Sequence, residues 1–190
     1  MPCEAREKQW VGRTISTMSE LVGTRTEAMR KFHKSFRVLG VDPGYDRLGL
    51  AVVEGDSSRP THVWSACFQP TKGLASFRLA QVYIAVQEAI ETYHPDAVIL
   101  EALFFGVNKK TAVSVAEARG AVLAAAGSAG ILVVEFTPAQ IKLAVTGYGS
   151  ADKKAIALMV PKLLTLPSKK RLDDEFDAIA VAIAGLSTRQ

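Results

Sequence analysis

From Phe36 to Asp42 the chain reads FRVLGVD, an apolar run closed by a carboxylate, and two more such runs follow at short intervals. RLGLAVVEG (47–55) and THVWSACFQP (61–70) are again apolar and bounded by Gly, Pro or Asp, which predicts three strands. Their short connections imply an antiparallel meander. The period then changes. LASFRLAQVYIAVQEAIETYH (74–94) repeats its apolar positions at helical spacing until Pro95 and Asp96, and AVILE (97–101) is a short buried strand. NKKTAVSVAEARGAVLAAAGSAG (108–130) predicts a helix of small residues, and ILVVEF (131–136) a fifth strand. TPAQIKLAVTG, SADKKAIALMVPKLLTL and LDDEFDAIAVAIAGLS are helical, with Thr137 and Ser150 expected as N-caps of the first two. Three antiparallel strands followed by two reached through helical crossovers give an α/β fold: a mixed five-stranded sheet flanked by helices.

Residues 1–36 carry only weak helical patterning around TMSELVGTRTEAMRKFHKSF and no strand signal. They are expected to be an N-terminal extension, either disordered or the product of a start assigned upstream of the true one, since Met18 and Met29 lie inside it. Residues 37–190 form the expected folded domain, a length suited to one core.

Composition narrows the setting. No apolar run approaches the roughly 20 residues that span a bilayer, and MPCEAREKQWVGR lacks the apolar centre of a secretory signal. Cys3 and Cys67 are the only cysteines, so a disulfide framework or a cysteine zinc site has no support and a reducing cytoplasm is expected. Residues 1–36 hold 7 Lys+Arg and 4 Asp+Glu against 16 and 15 in residues 37–190, so +3 of the net +4 lies in the extension. The domain itself is nearly neutral. Nucleic acid would have to meet a local basic stripe rather than a blanket positive field. Lys109, Lys110, Lys142, Lys153, Lys154, Lys169, Lys170 and Arg171 are its candidates, and on charge alone they read as ordinary solvated side chains.

The acids are more telling. Asp42 closes the first strand and Glu101 the fourth, each after an apolar run where a buried strand would favour another aliphatic residue. Asp174 and Asp177 stand at i and i+3 on the last helix, at the edge of the apolar stripe AIAVAIA. Asp173 and Glu175 are expected to be solvated first-turn acids favoured by the helix dipole. Four carboxylates without His or Cys suit a hard, oxygen-seeking ion such as Mg²⁺ or Mn²⁺. Two such ions roughly 3.5–4 Å apart activate water and stabilise a leaving oxygen in phosphodiester hydrolysis. Read one by one, each aspartate is a cap or turn residue. DPGYDRLG also reads as a phosphate loop of the actin-like ATPases, but those repeat the fold in two halves and need a much longer chain.

LGVDPG at the first strand, ILEALFFGVNKKTAVSVAEARG around the second acid, TPAQIKLAVTGYGSADK, and DDEFDAIAVAIA occur in that order. With these motifs residues 37 to about 187 resemble the RuvC family of Holliday-junction resolvases, which have the ribonuclease H-like fold. The resemblance implies that Asp42, Glu101, Asp174 and Asp177 are the catalytic metal ligands, holding two Mg²⁺ ions for which Mn²⁺ can substitute. It implies a DNA contact for Phe104, three residues after the second acid, where an aromatic would stack on an unpaired base. Lys142 and Lys153, with Lys154 beside them, would hold phosphates. A homodimer acting on four-way junction DNA is implied, with the helix 111–127 packing on its own copy or inside one subunit, together with RuvA and RuvB as branch-migration partners. The expected activity is paired symmetric nicking in homologous recombination and DNA repair; another ribonuclease H-like nuclease and a non-catalytic branched-DNA binder are the alternatives.

Overall fold

The first three strands are joined by short turns and pair in chain order, the first two buried almost without a break. The computed structural model describes residues 35–102 and 109–188, without the side chains of 109–111. Strand β1 (Phe36–Asp42) pairs antiparallel with β2 (Leu48–Asp56), from Phe36 opposite Gly55 to Asp42 opposite Gly49. Strand β3 (Arg59–Phe68) pairs antiparallel with β2, with a register shift at Val52/Val53. Helix α1 (Ala75–Tyr93) then crosses over, so β4 (Ala97–Glu101) runs parallel to β1, and helix α2 (Lys109–Ser128) returns the chain to β5 (Leu132–Phe136), parallel to β4. The sheet order is β3-β2-β1-β4-β5, the expected mixed five-stranded arrangement. The first strand begins at Phe36, one residue before the expected domain boundary at 37.

Successive side chains of a strand point to opposite faces, and both faces here are covered. Leu39, Val41, Leu48, Leu50 and Val52 pack with Val82, Val86 and Ile90 of α1 and Val122 and Ala126 of α2. Val38, Ala51, Val53, Ala97 and Ile99 face the other way. They pack with Ile141 of α3 (Pro138–Thr146), Val160 of α4 (Lys153–Leu163), and Ile179 and Ile183 of α5 (Asp173–Gly185). A 3₁₀ turn at Leu186–Thr188 follows. Asp42 and Glu101 continue the alternation of Val38/Gly40 and Ala97/Ile99, so both carboxylates belong to the face that α5 covers.

Helix α5 lies directly on the sheet backbone. A Cβ on Gly40 would collide with the Ala178 carbonyl and the Ala182 amide, and one on Gly49 with the Asp174 carbonyl. No side chain separates the helix from β1 and β2 at these points. Thr137 caps α3 through a capping box: its Oγ1 accepts from Gln140 N at 3.2 Å, and Gln140 Oε1 accepts from Thr137 N at 2.8 Å. The cap of α4 is not Ser150, which lies in the preceding turn, but Asp152, whose Oδ1 accepts from Ala155 N at 2.8 Å. Both residues are competent caps, and the cap falls wherever the first helical turn starts. Among the described residues no helix is long and apolar enough to cross a membrane.

Candidate active site

Parallel pairing places Val41 beside Leu100, which brings the next residues, Asp42 and Glu101, to adjacent strand ends. The contact of α5 with Gly49, opposite Asp42, brings the first turn of the helix and thus Asp174 and Asp177 to the same edge. The electrostatics report the crowding. Burial, then Asp177, Asp174 and Glu101, push the Asp42 carboxyl up from 3.8 to about 7, against the opposing pull of Lys153. Burial and Asp177 also raise Glu101, with Lys142 and Lys153 opposing. Three separate elements therefore supply carboxylates that repel one another unless a proton or cation lies between them.

Two cations already answer two of these acids. Arg47 Nε lies 3.0 Å from Asp174 Oδ2, and Lys153 Nζ donates to Asp177 Oδ2 at 2.8 Å. The hydrogen bond to Asp177 raises the Lys153 pKa, so its ammonium stays charged. Beside them opens a cleft of about 200 Å³ whose polar lining is Glu101, Lys142, Lys153 and Asp177. As the side chains lie, no group of three His, Cys, Asp or Glu among the described residues is arranged to hold a metal ion. The donor set nevertheless fits hard divalent ions. It is all carboxylate, and Asp174 Oδ2 is buried without a hydrogen-bond partner, because the Arg47 contact is close but not directed along an N–H. Rotation of Arg47 and Lys153 away from the aspartates would free the carboxylate oxygens of Asp174 and Asp177 for an ion.

Of the other expected contacts, Lys142 and Lys153 line the cleft, whereas Lys154 is exposed and outside its lining. Phe104 lies outside the described residues, as do the side chains of Lys109 and Lys110. Two expectations are corrected. Glu175 is 4% exposed rather than solvated: it accepts from Ser65 Oγ at 2.6 Å and Arg171 Nε at 3.1 Å, and pairs with Lys169 at 2.8 Å. Burial would raise its pKa, but the hydrogen bonds from Lys169 and Ser65 and the charges of Lys169 and Arg171 hold it below the usual value. Lys169 and Arg171 are likewise not free surface charges, since Lys169 also donates to the Ser65 carbonyl at 2.9 Å and Arg171 to that of Pro167 at 2.9 Å. This cluster ties the α4–α5 connection and the first turn of α5 to β3.

Arg47, Ser65 and Glu175 escape a sequence reading. Glu175 meets Ser65 across 110 residues of chain. Arg47 is signalled only by its place in the turn between Asp42 and Gly49.

The family model for crossover junction endodeoxyribonuclease RuvC matches residues 38–185. The crossover junction endodeoxyribonuclease RuvC of Syntrophomonas wolfei is 42% identical over 151 residues, covering 79% of this chain and 88% of the relative. That of Brevibacillus brevis is 44% identical over 148 residues, covering 77% and 89%. Among solved structures, Thermus thermophilus RuvC in complex with Holliday junction substrate matches with a TM-score of 0.73 at 34% identity, over 78% of this chain and 92% of that one.

Proposed function

The chain belongs to the RuvC family of crossover junction endodeoxyribonucleases, and on that premise we propose how residues 37–190 cut a Holliday junction. The carrying observation is the convergence of Asp42, Glu101, Asp174 and Asp177, where burial and then the three neighbouring acids lift Asp42 to about 7. These four are the ligands of divalent ions, two per site. When bound, the ions activate the attacking water and stabilise the leaving oxygen of the phosphodiester. Mg²⁺ is the expected resident and Mn²⁺ a substitute, since an all-oxygen carboxylate set suits both.

The remaining work falls to the chain. The Lys142 and Lys153 ammonium groups at the cleft hold the phosphate that approaches the carboxylates and offset its growing negative charge. Helix α5, seated on β1 and β2, keeps Asp174 and Asp177 in register with Asp42. Hydrolysis leaves 5′-phosphate and 3′-hydroxyl ends. Because a four-way junction is two-fold symmetric, paired nicks require a homodimer. Its contact surface is the outward stripe of α2, where Val113, Gly120, Leu123 and Gly127 are exposed. Phe104 would stack at the crossover, RuvA and RuvB would drive branch migration, and the cytoplasm is the setting.

Asp42→Asn and Asp177→Asn are each expected to lower nicking of a synthetic four-way junction by several orders of magnitude while junction binding persists. Full activity of either variant would overturn the ligand assignment. Preference for an RNA/DNA hybrid over the junction would instead assign the site to a ribonuclease H activity.

A further inference from the structure

The turn between β1 and β2 is fastened from behind. Arg78 of α1, its side chain only 11% exposed, donates to the Tyr45 carbonyl at 3.0 Å and to Asp46 Oδ1 at 2.6 Å, and its guanidinium lies 4.3 Å from the Tyr45 ring centre. Gly44 closes the turn against the Arg47 carbonyl, where a Cβ would have no room. The turn's backbone is thus tied to α1, while the Arg47 side chain is 48% exposed and reaches Asp174 through proximity alone. Asp174 is the more enclosed partner, at 18%. An arginine on a fixed turn, half in solvent and in undirected contact with a buried carboxylate oxygen, can leave by rotating its own bonds.

We propose that Arg47 is an exchangeable counter-cation of the active site: it neutralises Asp174 in the metal-free protein, yields that carboxylate to the incoming divalent ion, and then binds a phosphate of the junction. This rests on the reading of Asp174 as a metal ligand. The two roles are linked by charge. With no ion bound, a free Arg47 would leave Asp174 and its neighbours repelling DNA; with ions bound, an Arg47 kept in place would repel them. Released, it adds one cation beside Asp174 to the two lysines, Lys142 and Lys153, that line the cleft. Arg47 therefore contributes a phosphate contact, and its share of the salt dependence of junction binding, only in the metal-loaded protein.

The test compares wild type with Arg47→Gln and Arg47→Lys. Mn²⁺ binding to the DNA-free protein is followed by calorimetry, and binding of a labelled four-way junction by anisotropy in EDTA or in Ca²⁺, with junction integrity checked on a denaturing gel. Arg47→Gln is expected to bind Mn²⁺ about fivefold more tightly, the order set by removing one charge a few ångströms away in a partly solvated site. In Ca²⁺ it should lose junction affinity, with the salt slope reduced by about 1. In EDTA its salt slope should match wild type, any loss of affinity there coming from the uncompensated Asp174, and Arg47→Lys should stay near wild type throughout. Unchanged or weaker Mn²⁺ binding by Arg47→Gln, or the same change of salt slope with and without divalent ion, overturns the exchange. Absence of Mn²⁺ binding by wild type itself would instead overturn the metal-site reading on which it stands.

Discussion

With its carboxyl pushed up to about 7 by burial and by Asp177, Asp174 and Glu101, Asp42 keeps a proton in the metal-free chain where an ordinary aspartate would have lost it. A raised folded-state pKa means that the group's contribution to stability is fully present below about 3.8, the value of a free aspartate, and is lost as pH rises through about 7. The Asp42→Asn variant has no such proton to release. In EDTA, wild type is expected to lose thermal stability between pH 5 and 8 more steeply than Asp42→Asn, and the variant to be the more stable of the two at pH 8. Parallel melting curves across that range would show that burial and the neighbouring acids do not raise Asp42. On the proposed role of Asp42 as a metal ligand, ion and proton compete for it, and metal affinity is expected to rise as pH passes through about 7.

Helix α5 carries two of the four acids, and its seat on Gly40 and Gly49 decides where they point. Gly40→Ala inserts a methyl where the Ala178 carbonyl and Ala182 amide lie, so the helix must lift from β1. A loss of about 1–3 kcal/mol in urea unfolding is expected, with nicking falling further than the unfolded fraction explains. Activity that merely tracks the folded fraction would separate helix seating from chemistry. At this scale the sequence was largely legible: doubly buried strands read as continuous apolar runs, and helices as 3.6-residue repeats ending at Pro95 or starting at Thr137. Their terminal acids stood out because a carboxylate after four aliphatics has no packing role. The burial of Glu175 was not legible. A first-turn acid on a helix reads as solvated until its partners are known, and Ser65, Lys169 and Arg171 reach it from a strand and a connecting segment. The α4 cap was misread because Ser150 and Asp152 both have cap chemistry and only the helix start distinguishes them.

For the molecule as a whole, the two-fold symmetry of the substrate asks for a second copy. Helix α2 buries Ala118, Val122, Ala125 and Ala126 in its own subunit, leaving Val113 and Leu123 at 63% and 37% exposed on the other side. Gly120 and Gly127, seven residues apart on the same exposed side, have open space above them, so another helix could approach closely along this stripe. Leu123→Glu is expected to sediment as a monomer with an unchanged circular dichroism spectrum, and to make single rather than paired nicks; a dimer of normal mass would remove α2 from the interface. The order of the elements along the chain has a consequence for biosynthesis. Asp42 emerges with the first strand, but Asp174 and Asp177 follow all five strands, and α5 can seat on Gly40 and Gly49 only after them. On the proposed ligand set, a growing chain on the ribosome therefore presents isolated carboxylates and no cutting centre, and the nuclease is armed only once the whole sheet has been made.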